Sequence, residues 1–417
     1  MKANIWRLPV SVLLGFIVLI SLSASDGQVD AVSAASEVAI PDIPATVPAW
    51  TAQYPLQAES WFAGEKMEKS PTGYGGSVPF QHLEARPELR VIYKGSAFAT
   101  DYREDRGHVY AWEDILETKR VGAKTPASCM TCKTSSIADV FESEGWDYAK
   151  KTLSSYTSGI HSGMDCFSCH DPTSHGLRVI QPGFKEAIVK RGVNLSKAST
   201  QEMRSYVCAQ CHSEYYFEPV SNRVVHPWDE GLSPAEMYIQ YQKKPATFDG
   251  DFTQPDSKVR MLKAQHPDYE EFSGGIHAEA GVACADCHMP KMEKNGEIFS
   301  IHQITTPLLT VDTSCLPCHD SRSEDFMIRR VKYIQDAVYA AGRTASLTLS
   351  EAHSAIASAK TRGTGNMESA GNLVREAQWH WDYTMSANSM GFHNQTQALD
   401  SLTKAIDLAH KAIAATK

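Results

Sequence analysis

The clearest hydrophobic periodicity in the chain follows His319. Apolar residues recur there at intervals of three and four, which is the spacing of amphipathic helices. The pattern predicts one helix that runs toward Lys360, a break at Thr361–Gly365, and two further helices. The apolar positions are Met327, Val331, Ile334, Val338, Ala341 and Ala345, then Leu373, Val374, Ala377, Trp381 and Tyr383, then Ala398, Leu402, Ala405, Ala409 and Ile413.

These helices define a predicted C-terminal region, residues 321–417. Its apolar stripes are expected to pack on the preceding domain. One stripe could instead form a dimer interface. Residues 61–320 carry short apolar runs interrupted by Gly and Pro, without a long helical period. We expect a mainly α fold with little strand.

The N-terminal sixty residues read as two segments. Residues 1–25 carry Lys2 and Arg7, an apolar run over 10–22 and then small residues, which is typical of an export signal peptide. The run is short for a membrane span, although an uncleaved N-terminal anchor is the alternative. Residues 26–60 predict an extended arm, because prolines interrupt them at positions 41, 44, 48 and 55.

Composition and charge narrow the class of protein. The 417 residues are 42% hydrophobic and 21% charged, with a net charge of −9. These values are those of a globular chain. Removing Lys2 and Arg7 with the signal peptide would make the net charge more negative. Nucleic-acid binding is excluded on this basis, since it requires a basic face.

All ten cysteines lie in five Cys-x-x-Cys pairs. Four pairs are followed at once by histidine, and the fifth, Cys129–Cys132, is followed by Lys133. Cys-x-x-Cys-His is the pattern of covalent c-type haem attachment, in which the histidine ligates the iron. Zinc would leave the repeated histidine unexplained. The motifs therefore predict five c-type haems, attached at Cys166 and Cys169 with His170, Cys208 and Cys211 with His212, Cys284 and Cys287 with His288, Cys315 and Cys318 with His319, and Cys129 and Cys132 with Lys133.

The lysine marks one haem as different from the others. Electron-transfer haems usually have two protein ligands, whereas catalytic haems keep one position open. The four histidine-type haems need four further ligands, and twelve other histidines are available. Spacing does not choose among them; by position alone His161 and His277 are plausible. His353 and His410 lie on the amphipathic C-terminal helices, where surface positions are the usual assignment.

Several motifs occur in an order that resembles a known family. They are Arg106-Gly-His108, Cys129-x-x-Cys-Lys133, Cys208-Ala-Gln-Cys-His-Ser-Glu-Tyr-Tyr216, Leu262-Lys-Ala-Gln-His-Pro267, Gly275-Ile-His277, Cys284-Ala-Asp-Cys-His-Met-Pro290 and Gln378-Trp-His-Trp-Asp382. Together they resemble the ammonia-forming pentahaem cytochrome c nitrite reductases, the cytochrome c552 family. The resemblance covers about residues 95 to 395.

This resemblance implies roles for individual residues. Distal iron ligands would be His302 for the haem of His170, His108 for that of His212, His393 for that of His288, and His277 for that of His319. Arg106, Tyr215 and His266 would be catalytic. Their chemistry suits nitrite, because an anion needs fixed positive charge and proton donors. The resemblance also implies a Ca²⁺ site formed by Glu214, Tyr215, Lys263 and Gln265, whose donors are all hard oxygens.

The expected activity is a six-electron reduction of nitrite to ammonium at the Lys133 haem. The expected protein is periplasmic and homodimeric, with a quinol-oxidising, membrane-anchored multihaem cytochrome as its electron donor; association with the membrane would follow from that donor or from an uncleaved N-terminus. Two alternatives stand beside this interpretation. One is a non-catalytic multihaem electron carrier, and the other is an enzyme that converts hydroxylamine or sulfite.

Overall fold

A computed structural model describes residues 46–160, 163–243 and 247–417. The signal peptide predicted for residues 1–25 lies outside the described residues. So do His161 and the first part of the predicted arm, residues 26–45.

The architecture is mainly helical, as the sequence predicts. The α-helices are α1 Thr46–Gln53, α2 Pro55–Phe62, α3 His82–Ala85, α4 Leu89–Ile92, α5 Ala111–Glu117, α6 Ile137–Glu144, α7 Pro182–Lys190, α8 Thr200–Ala209, α9 Pro234–Lys243, α10 Asp268–Ser273, α11 Ile276–Glu279, α12 Cys284–His288, α13 Val311–Ser314, α14 Glu324–Arg362, α15 Met367–Ser386 and α16 Gln395–Ala414. The strands form three antiparallel pairs within the described residues: β1 Tyr216–Phe217 with β2 Val224–Val225, β3 Phe252–Thr253 with β4 Arg260–Met261, and β5 Lys291–Lys294 with β6 Glu297–Ser300. No helix among the described residues is long and apolar enough to cross a membrane.

The predicted extended arm is wrong for residues 46–60, which form helices α1 and α2. The prolines do not prevent helix formation in this segment. Pro55 occupies the first turn of α2, where its missing N–H has no helical partner to lose. Trp50 and Tyr54 of this segment pack on the ring of His175, at centroid distances of 4.5 and 5.7 Å.

The three long C-terminal helices are confirmed. Ser323, Asn366 and Asn394 cap α14, α15 and α16, each side chain accepting a main-chain N–H of the first turn. Helix α14 ends at Gly363, whose φ of 70° is the left-handed conformation typical of a helix C-terminus. At 1.5 Å per residue the 39-residue α14 is about 58 Å long.

Small residues let the C-terminal helices approach closely. The helices share one apolar core, to which α14 contributes Leu349 and Ile356 and α16 contributes Ala405 and Ala409. Gly342 of α14 lies against the Met385 side chain, so a methyl group there would collide with the sulfur. Helix α14 also contacts α4, and α15 contacts α9 and β4. The C-terminal helices thus pack on the part of the chain that carries the cysteine motifs.

The surface position predicted for His353 is wrong. The ring is fully buried between the helices and the loop after β3, where Nδ1 contacts Ser257 Oγ at 2.9 Å and Nε2 contacts Gln378 Oε1 at 3.0 Å. A histidine in a helical stripe can be buried when both of its ring nitrogens have hydrogen-bond partners. The sequence does not show which residues those partners are. His410 is exposed, as predicted.

Candidate functional site

A single continuous cavity contains the predicted chemistry. Its volume is about 2040 Å³. Small-molecule pockets usually measure roughly 300–1,000 Å³, so this cavity is large enough for several bulky groups. All ten motif cysteines, the five motif ligands and the four predicted distal histidines line it. Arg106, Tyr215, Lys263, Gln265 and His266 line it too, whereas Glu214 is buried behind it.

Short helical turns position the cysteine motifs. Asp165 caps the turn Cys166–Ser168 by accepting the N–H of Phe167 at 2.9 Å. Cys208 lies in the last turn of α8, and α12 spans the whole motif Cys284–His288. The structure pairs none of these ten cysteines in a disulfide, as expected for side chains predicted to form thioethers.

The structure brings together each pair of predicted axial histidines. The ring centroids lie 6.2 Å apart for His170 and His302, 5.8 Å for His108 and His212, 6.4 Å for His277 and His319, and 6.4 Å for His288 and His393. A metal–nitrogen bond of about 2 Å on either side, with the two ring radii, puts the ring centres of a doubly ligated metal roughly 6 Å apart. All four pairs therefore have the spacing required to hold an iron between them.

The surroundings of Lys133 differ from those of the motif histidines. Its amine lies 3.3 Å from Asp105 Oδ2, a carboxylate that the sequence analysis missed. The motif touches its neighbour, since Cys132 Sγ lies 3.9 Å from the carbonyl oxygen of Gln210, a residue inside the Cys208–His212 motif. The Lys133 motif is thus adjacent to the His212 motif, which is the arrangement that electron transfer between them requires.

Two carboxylates hold Arg106 in place. Asp114 accepts from both the main-chain N and the Nε of Arg106 at 2.8 Å, and Glu113 accepts from Nη2 at 3.1 Å. The guanidinium also lies 4.1 Å from the ring centre of Tyr110. Asp114 and Glu113 carry no motif signal, which is why the sequence analysis missed them. Their effect is to fix a cation at the cavity wall.

His266 and Tyr215 are both withdrawn from water. Burial, together with the charges of Lys133 and His212, lowers the pKa of His266 to about 4, so the ring is neutral near pH 7. Its Nδ1 is buried without a hydrogen-bond partner. Burial raises the pKa of Tyr215 well above its ordinary value, so the phenol keeps its proton. Each residue therefore offers the cavity a neutral polar group.

The predicted calcium ligands converge beside these two residues. Glu214 Oε2 accepts the main-chain N–H of Gln265 at 2.6 Å, and Gln265 Nε2 lies 3.2 Å from the carbonyl oxygen of Lys263. Glu214 Oε1 is buried with no partner, an anionic oxygen that a cation would satisfy. Burial raises the pKa of Glu214 well above its usual value, and a cation at this carboxylate would oppose that shift and favour the anion. The donor set fits Ca²⁺, which takes carboxylate, amide and carbonyl oxygens.

A mainly helical chain with five Cys-x-x-Cys motifs and paired histidines around one cavity is, by class, a cytochrome c with several haem-attachment sites. The cytochrome c552 family profile matches residues 47–417, so the chain belongs to that family. Cytochrome c-552 of Bacteroides fragilis is 37% identical over 369 residues, covering 86% of this chain and 74% of the relative.

Two further relatives have more specific names. The cytochrome c nitrite reductase subunit NrfA of Nitratidesulfovibrio vulgaris is 34% identical over 405 residues, covering 88% of this chain and 77% of that one. The structure of the catalytic subunit of cytochrome c nitrite reductase from Desulfovibrio desulfuricans, which has two calcium sites, superimposes with a TM-score of 0.84 at 31% identity. It covers 89% of this chain and 85% of that one.

Proposed function

We propose that this chain reduces nitrite to ammonium at a haem whose proximal ligand is Lys133. The observation that carries the proposal is the contrast between the five motifs. Four motif histidines face a second histidine at a ring spacing of about 6 Å. The amine of Lys133 faces Asp105 instead. A catalytic haem needs an open coordination position, whereas the haems that supply its electrons usually have two protein ligands. Four histidine-paired sites beside one lysine site fit this requirement.

The cofactors of this proposal are five c-type haems, held as the sequence predicts. His302, His108, His393 and His277 would complete the ligation begun by His170, His212, His288 and His319. The Lys133 haem would bind nitrite and supply it with electrons one at a time. For each nitrite, six electrons and eight protons yield one ammonium ion and two waters. The electron donor we propose is a quinol-oxidising, membrane-anchored multihaem cytochrome.

Arg106 provides the positive charge that nitrite requires. Asp114 engages its Nε and Nη2 and Glu113 engages its Nη2, so we assign the two N–H groups of Nη1 to the bound anion. Because both carboxylates fix the guanidinium before nitrite arrives, little ordering is needed at the moment of binding. The same carboxylates reduce the net charge, which favours release of the cationic product.

His266 and Tyr215 supply hydrogen bonds and protons. The unpartnered Nδ1 of His266 can bond an oxygen of the bound anion. An anion also favours the protonated ring, so binding would raise the pKa of His266 toward the range in which it can transfer protons. Tyr215 keeps its phenolic proton and acts as a donor.

We further propose that a Ca²⁺ ion at Glu214, Tyr215, Lys263 and Gln265 holds these two side chains in place. Tyr215 follows Glu214 directly, and His266 follows Gln265 directly. One ion would therefore join two separate segments at their catalytic residues.

The proposed assembly is a periplasmic homodimer formed through α14. Phe326, Tyr333, Ala340 and Leu347 recur every seven residues on this helix, and all four are exposed. A heptad of exposed apolar residues is the pattern of a helix that pairs with another helix. The export signal predicted for residues 1–25 supports the periplasmic location.

The test is a steady-state assay of the purified holoprotein with reduced viologen. We expect one ammonium per nitrite consumed. Sulfite and hydroxylamine, the substrates of the alternative interpretation, are measured in parallel. A higher kcat/KM for either one than for nitrite would replace the proposed substrate. Loss of all three activities in protein with a full haem content would favour the electron carrier.

A further inference from the structure

Asp268, the first residue of α10, contacts a residue that we propose as an iron ligand. Its carboxylate Oδ2 lies 3.3 Å from Nδ1 of His212. Asn388 donates twice to the same carboxylate, from the main-chain N to Oδ1 at 2.7 Å and from Nδ2 to Oδ2 at 2.9 Å. The Asp268 side chain is 8% exposed. A buried carboxylate with three N–H donors is held in its anionic form.

The other motif histidines with a described Nδ1 contact have an uncharged partner. Nδ1 of His170 lies 2.9 Å from the carbonyl oxygen of His175, and Nδ1 of His288 lies 3.1 Å from that of Thr305. A carbonyl is a neutral acceptor, whereas Asp268 is an anion. An anionic acceptor draws the ring proton more strongly and makes the ligating nitrogen more basic. His212 is therefore in a different electrostatic environment from these two histidines.

The different environment of His212 matters because its motif lies next to the Lys133 motif. The two motifs touch through the carbonyl oxygen of Gln210 and Cys132 Sγ, at 3.9 Å. The main-chain N of Tyr269 also donates to the carbonyl oxygen of His212 at 2.9 Å. The segment 266–269 therefore connects two places. His266 lies in the proposed catalytic site, and Asp268 contacts the adjacent His212 motif.

We propose that Asp268 is a positioning residue that fixes the ring of His212 and lowers the reduction potential of the haem it ligates. This rests on the proposed function, since it assumes that His212 ligates iron. A more basic ligand and a nearby negative charge both stabilise ferric over ferrous iron. The lower potential makes the last transfer, one electron from the His212 centre to the Lys133 centre, more favourable. Asp268 and His212 exchange no net proton in this step.

The test is a redox titration of the holoprotein without nitrite, followed by optical and electron paramagnetic resonance spectra. In Asp268→Asn the component of the His212 haem should shift to more positive potential, and its low-spin g values should change. The other components should stay in place. That component is identified in His108→Met, which exchanges its proposed second ligand and should raise its potential.

Asn388→Ala should shift the potential of the His212 haem in the opposite direction. It removes the Nδ2 donor and leaves the carboxylate more available to His212, so the same component should shift to more negative potential. The matched control is Asp165→Asn, which changes a buried carboxylate beside the His170 motif that accepts from Ser135 Oγ and from the main-chain N of Phe167. The His212 component should not move in this control.

Unchanged potentials in Asp268→Asn, or an equal shift of every component, would overturn the proposal. If Asp268→Asn fails to incorporate haem, Asn388→Ala decides, and an unchanged potential in that variant would overturn it equally. Because nitrite is absent throughout, a chain that did not reduce nitrite would still give this result. Failure of the proposed function and failure of this inference are therefore distinguishable.

Discussion

At the scale of single residues, three of the proposed ligands carry a buried polar atom without a hydrogen-bond partner in the described structure. Glu214 Oε1, His266 Nδ1 and His393 Nδ1 are each buried and form no hydrogen bond in the described structure. Leaving such an atom unsatisfied costs about 1–3 kcal/mol. The three atoms belong to residues proposed to contact calcium, nitrite and iron respectively. Calcium at Glu214 Oε1 and nitrite at His266 Nδ1 would remove that cost.

Replacing Lys133 with histidine tests the tuning of the proposed catalytic centre. Lys133→His should keep the haem and the fold, because histidine is a competent proximal ligand. It should lower kcat for nitrite at least about tenfold, since the shorter ligand moves the reacting atoms relative to Arg106 and His266. Haem content by pyridine haemochrome is measured beside the steady-state rate. A variant with full haem content and wild-type kcat would show that the lysine does not tune the centre.

Glu214 is the only formal negative charge among the proposed calcium ligands. Glu214→Gln keeps the shape of the side chain but removes that charge, so bound calcium measured by elemental analysis should fall strongly. Nitrite reduction should drop roughly a hundredfold because Tyr215 and His266 are displaced, and added calcium should restore part of it.

The matched control for this variant is Glu218→Gln, a carboxylate four residues further on that accepts from the main-chain N of Ser221 instead. Calcium content and activity should be unchanged in the control. Wild-type protein that contains no calcium and stays active in chelator would refute the site.

At the scale of elements, periodicity predicted the long C-terminal helices, whereas the two differences from prediction have a local cause at Pro55 and a long-range cause at His353. The stripes of α14, α15 and α16 are regular enough to identify from spacing alone. Proline favours a break, but Pro55 occupies the first turn of α2, where it is compatible with a helix. His353 is buried because its partners, Ser257 and Gln378, come from elsewhere in the chain. The position of His353 therefore cannot be inferred from local sequence.

The buried ring of His380 in α15 should make stability depend on pH. Burial, and then the charge of Lys404, lowers its pKa to about 3, and neither ring nitrogen has a hydrogen-bond partner; Glu376 lies 4.0 Å away. The unfolded chain binds this proton near pH 6.5, so unfolding takes up a proton below that pH. The folded state should therefore lose up to about 1.4 kcal/mol per pH unit between about 6.5 and 3.

The measurement compares melting temperatures at pH 7 and pH 5. His380→Phe should lose less stability between these two values than the wild type does. The control is His410→Phe, whose ring is exposed and should not change the pH dependence. Identical pH dependence in His380→Phe and the wild type would contradict the account.

At the scale of the whole molecule, the sequence predicted the number of haem motifs but not how they are arranged. Spacing left twelve histidines for four distal positions, and only the family resemblance selected four of them. The folded chain brings those four within about 6 Å of the motif histidines. Asp105, Asp114 and Asp268 could not be predicted from the sequence. Their partners are set by the folded chain rather than by any local pattern.

The proposed dimer is tested on the exposed heptad of α14. Tyr333 and Leu347 are 64% and 53% exposed and lie on one face of the helix. The double variant Tyr333→Glu with Leu347→Glu places charge in the proposed interface and should give a monomer in light scattering at micromolar concentration. Val220→Glu, at an 88% exposed apolar residue away from α14, should leave the dimer intact. A monomeric wild-type protein would refute the prediction directly.

The central claim is that one haem, the one held by Lys133, keeps an open position that takes nitrite. Spin quantification of the oxidised holoprotein by electron paramagnetic resonance and optical absorption tests it most directly. We predict one high-spin ferric haem among five, and a change in its signal when nitrite is added while the four bis-histidine haems remain low-spin. Five low-spin haems that nitrite leaves unchanged would contradict the claim and identify the chain as an electron carrier.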